Sequence, residues 1–130
     1  MEPIDHVQTD GAPGFDELPI SQGTVHDGVV YTAGQTGKDP KTGELAGEDA
    51  RAQTVQILEN LDAILAAAGS DFEHVLKTVI YITDIDQFET VNEVYEDHMS
   101  APYPARSAVT VADLAADATV EIEMIAAVDE

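Results

Sequence analysis

Between residues 48 and 68 the side chains Val55, Leu58, Leu61, Leu65 and Ala68 recur at spacings of three and four, and Ile57 and Ile64 widen the stripe. That period belongs to an amphipathic helix with one buried face. Glu48 and Asp49 stand where the helix dipole favours negative charge, and Gly69 suits the position just past the C-terminus. Such a stripe must be covered by a second layer, and the next segment supplies one. Residues 75–82 read as a strand with apolar residues on both sides, Val75, Val79 and Tyr81 on one and Leu76, Ile80 and Ile82 on the other. A strand covered on both faces belongs inside a layered fold.

The rest of the chain fits around this pair. Residues 1–22 hold three of the six prolines and little periodicity, and read as an arm or short edge strand, the arm proper being 1–18. Met1 to Asp5 offers neither a basic region nor an apolar run, so no signal peptide is expected. His26-Asp27-Gly28 separates two short apolar runs, and its Asp-Gly step favours a hairpin turn. Asp86-Gln87-Phe88-Glu89 predicts the capped start of a second helix, with Phe88, Val91, Val94, Tyr95 and His98 along one side. Strands are expected at 105–111 and 119–128, joined by 112–118. The order β-β-α-β-α-β-β over one domain, 1–130, predicts an α/β (α+β) two-layer sandwich with a mixed sheet and both helices on one face.

Two helices leave the other face of the sheet uncovered. In the last strand Val120, Ile122, Met124, Ala126 and Val128 point toward the helices, while Glu121, Glu123, Ile125 and Ala127 point away. In the preceding strand Val109 and Val111 alternate with Arg106, Ala108 and Thr110. A face that is half apolar and half charged is better explained by packing of subunits than by full exposure. A closed ring of subunits would leave clefts at its edges, and Arg106 is expected in one of them.

Charge bounds the partners. With 26 Asp and Glu against five Lys and Arg, the net charge is −21. Such a surface repels nucleic acid and anionic membranes. The acids lie along the whole chain, which points to a salt-rich cytoplasm where ions screen them; basic partners are the rival explanation. There is no cysteine, so disulfides and thiolate sites are excluded. No apolar stretch approaches the ~20 residues of a membrane span, and the expected compartment is the cytoplasm.

Against that background Arg106, in Pro104-Ala105-Arg106-Ser107, needs a reason. Its guanidinium fork suits a planar carboxylate; the alternative is an ion pair with Glu121 or Glu123. Glu121 is placed to orient a water or act as a general base, or else to be Arg106's partner. Gly34-Gln35-Thr36-Gly37 lacks the Gly-Lys-Ser/Thr step of a phosphate loop, yet it ends a strand, where backbone groups line clefts. Asn92 is a polar residue beside an apolar helix stripe. The four histidines show no metal-ligand spacing, and Ser21, Ser107 and Thr110 have no base beside them. No metal and no cofactor is expected.

From about Pro19 to Val128 the chain resembles the RidA/YjgF/UK114 family of reactive-intermediate deaminases. The resemblance rests on Ser21-Gln22-Gly23, Thr32-Ala33-Gly34-Gln35, Asp39-Pro40-Lys41-Thr42-Gly43, Ala66-Ala67-Ala68-Gly69, Val75-Leu76-Lys77-Thr78, Phe88-Glu89-Thr90-Val91-Asn92, Tyr103-Pro104-Ala105-Arg106-Ser107 and Glu121-Ile122-Glu123. It implies a chorismate mutase-like fold and a homotrimer with three inter-subunit clefts. It also implies hydrolysis of the enamines and imines that PLP enzymes release, giving 2-keto acids and ammonia without a cofactor. Arg106 falls on the family's carboxylate-gripping arginine, Glu121 on the glutamate of the hydrolytic water, and Gly34 and Asn92 on cleft positions. Ala33 and Ala105 would contribute backbone groups. Three positions depart from the best-known members: Ile20 where they have Tyr, Ala33 where they often have Ser, and Ala108 where they have Cys. These leave a second reading open, a non-catalytic binder of small carboxylates or a regulatory partner, and a more apolar cleft favours a larger hydrophobic acid.

Overall fold

The computed structural model describes residues 3–15 and 17–128. The parts of the N-terminal reading that concern Met1, Glu2 and Asp16 lie outside the described residues. Seven strands form one sheet: β1 (Asp5–Val7), β2 (Gly23–His26), β3 (Val29–Thr32), β4 (Gln35–Thr36), β5 (Val75–Ile82), β6 (Ala105–Thr110) and β7 (Val120–Ala127). The helices are α1 (Ala50–Ala67) and α2 (Phe88–His98). The spatial order is β1-β2-β3-β7-β5-β6, with β4 also paired to β7. β5 and β6 run parallel, joined through α2, and the other pairs are antiparallel. The expected mixed sheet is present, and β1 lies at its edge beside β2.

Local chemistry sets the boundaries. Asp27 and Gly28 have φ of 51° and 76° between paired His26 and Val29, the backbone that a two-residue hairpin turn demands. Asp49 caps α1, its carboxylate accepting from the Ala52 N–H at 2.7 Å. Gly69, at φ 85°, lets the Ser70 N–H reach back to the Leu65 carbonyl at 2.8 Å, closing the helix. The second helix starts differently from expectation. Asp84, not Asp86, is the capping acid; it accepts from the Asp86 N–H at 2.9 Å and opens a short 3-10 turn over Ile85–Gln87. α2 continues from that turn, so it needs no side-chain cap of its own.

The core lies between α1 and the sheet. Ile57, Leu58, Leu61, Ile64 and Leu65 are fully buried against Val120, Ile122, Met124 and Ala126 of β7. Burying each large aliphatic side chain is worth roughly 1.5–3 kcal/mol. The two faces of β7 divide as the alternation predicts. Those of β5 do not: a bulge between Val75 and Lys77 sets Val75 opposite Ala126 and Lys77 opposite Ile125. The extra residue shifts the side-chain parity. Val75 therefore joins Thr78, Ile80 and Ile82 on the buried side, and Leu76, expected beside Ile80, is 52% exposed.

Polar residues inside the helix stripe tie the loops down. Gln53 donates to the Gly47 carbonyl at 3.0 Å and accepts from the Thr119 N–H at 2.9 Å. Asn60 donates to the Lys38 carbonyl at 2.9 Å. Gly37 packs on this same turn, where an added Cβ would lie 2.7 Å from the Gln53 backbone. The segment after β4 and the start of β7 are thus anchored to α1.

Candidate functional site

Arg106 sits on β6, at the sheet edge, opposite Thr78 of β5. Thr78 is buried, so Arg106 shares the helix side of the sheet. Its Nη1 donates to the side-chain amide oxygen of Asn92, Oδ1, at 2.7 Å. Its guanidinium lies 5.0 Å from the centre of the Tyr95 ring and 5.6 Å from that of Phe88, within range of cation–π attraction. Tyr95 is fixed in turn by donating to Thr78 Oγ1 at 3.0 Å. Burial pushes the Tyr95 hydroxyl up, and the Thr78 hydrogen bond and the Arg106 charge offset part of that. Phe88, Asn92 and Tyr95 are spaced by four and three, which puts them on one helix face.

Beside Arg106 lies a cavity of about 360 Å³ lined also by Asn92, Tyr95, Glu96, Tyr103 and Pro104. Asn92 takes one of the guanidinium's five N–H donors. Among the described residues the ion pairs are Arg51 with Glu93 and His74 with Asp71. The Arg106–Glu121 or Arg106–Glu123 pair that the sequence left open is not formed. The geometric reason is the sheet itself. Glu121 pairs with Tyr81 and Thr36 on the face away from the helices. Arg106 and Glu121 belong to opposite faces, and their rows are three residues apart along β5, about 10 Å.

Glu121 has its own surroundings. Its carboxylate rests on Gly34: an added Cβ there would lie 2.5 Å from Oε2 and 2.9 Å from Cδ. The absence of a Cβ at Gly34 is what lets the carboxylate lie this close. Burial pushes the Glu121 carboxyl up, and the neighbouring Glu123 carboxylate adds to the shift. Glu123 accepts from the Tyr81 hydroxyl at 2.7 Å, which, ahead of burial, raises the Tyr81 pKa. A second cavity of about 360 Å³ opens beside Glu121, with Ile20, Ala33, Gly34, Phe15 and Leu18 in its wall.

The structure therefore gathers the sequence candidates into two groups. Ile20, Ala33, Gly34 and Glu121 meet on one face; Arg106 and Asn92 meet on the other. Ala33's N–H is already given to the Gln22 carbonyl at 2.9 Å, which leaves only its carbonyl for a ligand. Ala105 is exposed on β6 opposite Lys77, and Ala108 opposite Ile80 is exposed as well. Sequence reasoning missed Thr78, Tyr95 and Phe88 as the mount of Arg106, although the helical spacing of Phe88, Asn92 and Tyr95 carried that signal. It also missed the Tyr81–Glu123 contact, which depends on a cross-strand diagonal. No cluster of His, Asp or Glu suited to a metal ion occurs among the described residues, and none of their helices is long and apolar enough to cross a membrane.

Comparison with known proteins covers nearly the whole chain. The family model described as Endoribonuclease L-PSP matches residues 16–128. The chain is 40% identical over 120 residues to the 2-iminobutanoate/2-iminopropanoate deaminase of Homo sapiens, covering 92% of this chain and 87% of that relative. It is similar to the crystal structure of RidA from the Antarctic bacterium Psychrobacter sp. PAMC 21119, with TM-score 0.91, 42% identity, and coverage of 95% and 99% of the two chains. It is also similar to E. coli TdcF with bound serine, with TM-score 0.89, 40% identity and coverage of 96% and 99%.

Proposed function

The chain belongs to the RidA/YjgF/UK114 family, and on that premise we propose that it hydrolyses 2-imino acids and their enamine tautomers to 2-keto acids and ammonia. The observation that carries this reading is Arg106. In a chain with 26 acidic residues its guanidinium has no carboxylate partner among the described residues, yet Asn92, Tyr95 and Phe88 hold it in place beside a cavity. A fixed, unpaired guanidinium is a receptor for a carboxylate.

In the proposed reaction Arg106 grips the substrate carboxylate and so fixes C2. Glu121 orients a water and takes one of its protons as the oxygen bonds to C2. That proton passes to the substrate nitrogen, giving a tetrahedral carbinolamine; the hydroxyl proton then moves through Glu121 to the same nitrogen as the C2–N bond breaks, so ammonia leaves and the C2 carbonyl forms. One water is consumed and Glu121 ends as it began. The elevated carboxyl of Glu121 suits this exchange, because a group that both accepts and returns a proton works best near the operating pH. Imines hydrolyse unaided, so the required acceleration is modest.

The separation of Arg106 from Glu121 within a chain supports the second part of the proposal: a homotrimer in which the Arg106 edge of one subunit faces the Gly34–Glu121 face of the next. Val79, Ile125 and Val109 would be buried there. PLP enzymes acting on amino acids would supply the imines. The acidic surface favours a salt-rich cytoplasm and disfavours an RNA substrate, whose phosphates it repels. Purified protein should accelerate 2-keto acid release when imines are generated by an amino-acid oxidase. Arg106→Ala should abolish the acceleration while light scattering finds the same assembly; equal activity in that variant ends the reading. Replacement of three polar family positions by Ile20, Ala33 and Ala108 favours the binder as second reading. A 2-keto acid that raises the melting temperature, in a protein that turns over no imine, would establish it.

A further inference from the structure

Once the carboxylate is assigned to Arg106 and the water to Glu121, one substituent of C2 remains, the amino-acid side chain. Phe15, Leu18, Ile20 and Ala33 present apolar surface to the cavity beside Glu121. Leu18 is 58% and Ile20 45% exposed, so two large aliphatic groups stand in water at the mouth of a carboxylate cavity. Neither Ile20 nor Ala33 offers a hydroxyl to a polar ligand.

This wall is built, not incidental. Gln22 is 1% exposed and clamps the preceding segment. Its Nε2 donates to the carbonyls of Thr9, Ala12 and Pro13 at 2.9, 3.2 and 3.1 Å, and its Oε1 accepts from the Thr9 N–H at 2.7 Å. Two tight backbone contacts, Leu18 N–H to the Phe15 carbonyl at 2.9 Å and Ile20 N–H to the Leu18 carbonyl at 2.8 Å, fold the segment between the clamp and β2. A preformed apolar wall recovers hydration free energy from an apolar ligand without first being ordered.

We infer that the preferred substrates are 2-imino acids with an apolar side chain of three or more carbons, seated against Leu18 and Ile20. The inference rests on the hydrolase reading above. A side chain ending in a hydroxyl loses water against Leu18 and Ile20 and gains no hydrogen bond from either, which is costly. Polar lining does exist in Thr36 and Lys38, so an acidic side chain drawn to Lys38 is the competing outcome.

The test is a substrate panel. An amino-acid oxidase generates imines from alanine, serine, glutamate, leucine and methionine, and semicarbazide traps whatever is not hydrolysed. The leucine- and methionine-derived imines should show kcat/KM at least about 10-fold above those from alanine and serine, the range that small apolar differences reach in a fitted pocket. Ile20→Ser and Leu18→Ser should bring that ratio toward one; a folding defect lowers all substrates together and leaves the ratio alone. Turnover with a flat profile, or with serine or glutamate preferred, overturns the inference and leaves the hydrolase reading standing. No turnover of any imine overturns both.

Discussion

Adding one methyl group at Gly34 separates the chemistry from the fold. Gly34 has no positive φ, so alanine meets no backbone strain there. The new Cβ would lie 2.5 Å from Glu121 Oε2, and ordinary contact begins at 3.4 Å. The carboxylate must therefore withdraw by about 0.9 Å, and as the end of a flexible side chain it is able to. Stability should hardly change. An off-rotamer Glu121 costs about 0.5–1.5 kcal/mol, and Gly→Ala at a compatible position returns about 0.4–1 kcal/mol through the unfolded state. Activity should change greatly, because a misplacement of about 1 Å at a reacting group costs on the order of 100-fold. Gly34→Ala should thus lower kcat about 100-fold with a melting temperature within a few degrees of the parent and little change in KM, since Arg106 still holds the substrate. In a Glu121→Ala background the same substitution should cost nothing more. A kcat within twofold of the parent, or an equal loss in both backgrounds, would refute the role given to Glu121.

Arg106→Lys keeps the charge but loses the fork and the stack on Tyr95 and Phe88, so kcat/KM should fall about 100-fold in steady-state assays. The acidic limb of the kcat profile should follow the elevated Glu121 carboxyl, and Glu123→Gln, by removing the second cause of that elevation, should move the limb to lower pH. Glu121→Gln should stabilise the fold at neutral pH by at most about 1 kcal/mol, discounted for partial exposure. Since the folded-state pKa of Glu121 is raised, its ionised form is what folding penalises, so denaturant titrations should show the gain shrinking as pH falls through that pKa. In the proposed trimer three chains of −21 would gather −63, and light scattering should find the assembly loosening between ~1 M and ~0.05 M salt as the screening length grows from about 3 Å past 10 Å; constant mass and activity would remove salt from the account.

Local rules made most of the fold legible. The α1 stripe, the Asp-Gly hairpin and the alternation of β7 each depend on residues close in sequence, and each appears as the pattern predicts. The bulge in β5 was not legible, because nothing between Val75 and Lys77 marks it; it becomes visible only when Ala126 and Ile125 are laid alongside. The same limit governs the site. Arg106 and Glu121 stand out singly, one as a rare cation in an apolar strand and the other beside an apolar run. Which face each occupies depends on the register of β6 and β7 against β5, and the parallel pairing of β6 sends Arg106 to the helix side.

That division has a chemical consequence. A carboxylate beside Arg106 in the same chain would neutralise the guanidinium, and the guanidinium would hold that carboxyl low. Keeping them on opposite faces leaves Arg106 without a carboxylate partner among the described residues, while Glu121, buried beside Gly34 and crowded by Glu123, stays elevated. Under the trimer reading the two meet only across a subunit boundary, with the substrate between them. Its carboxylate would then absorb the charge of Arg106 before that charge could depress Glu121. Assembly in this scheme brings the receptor to the base without quenching either, and a monomer, however well folded, would bind without hydrolysing.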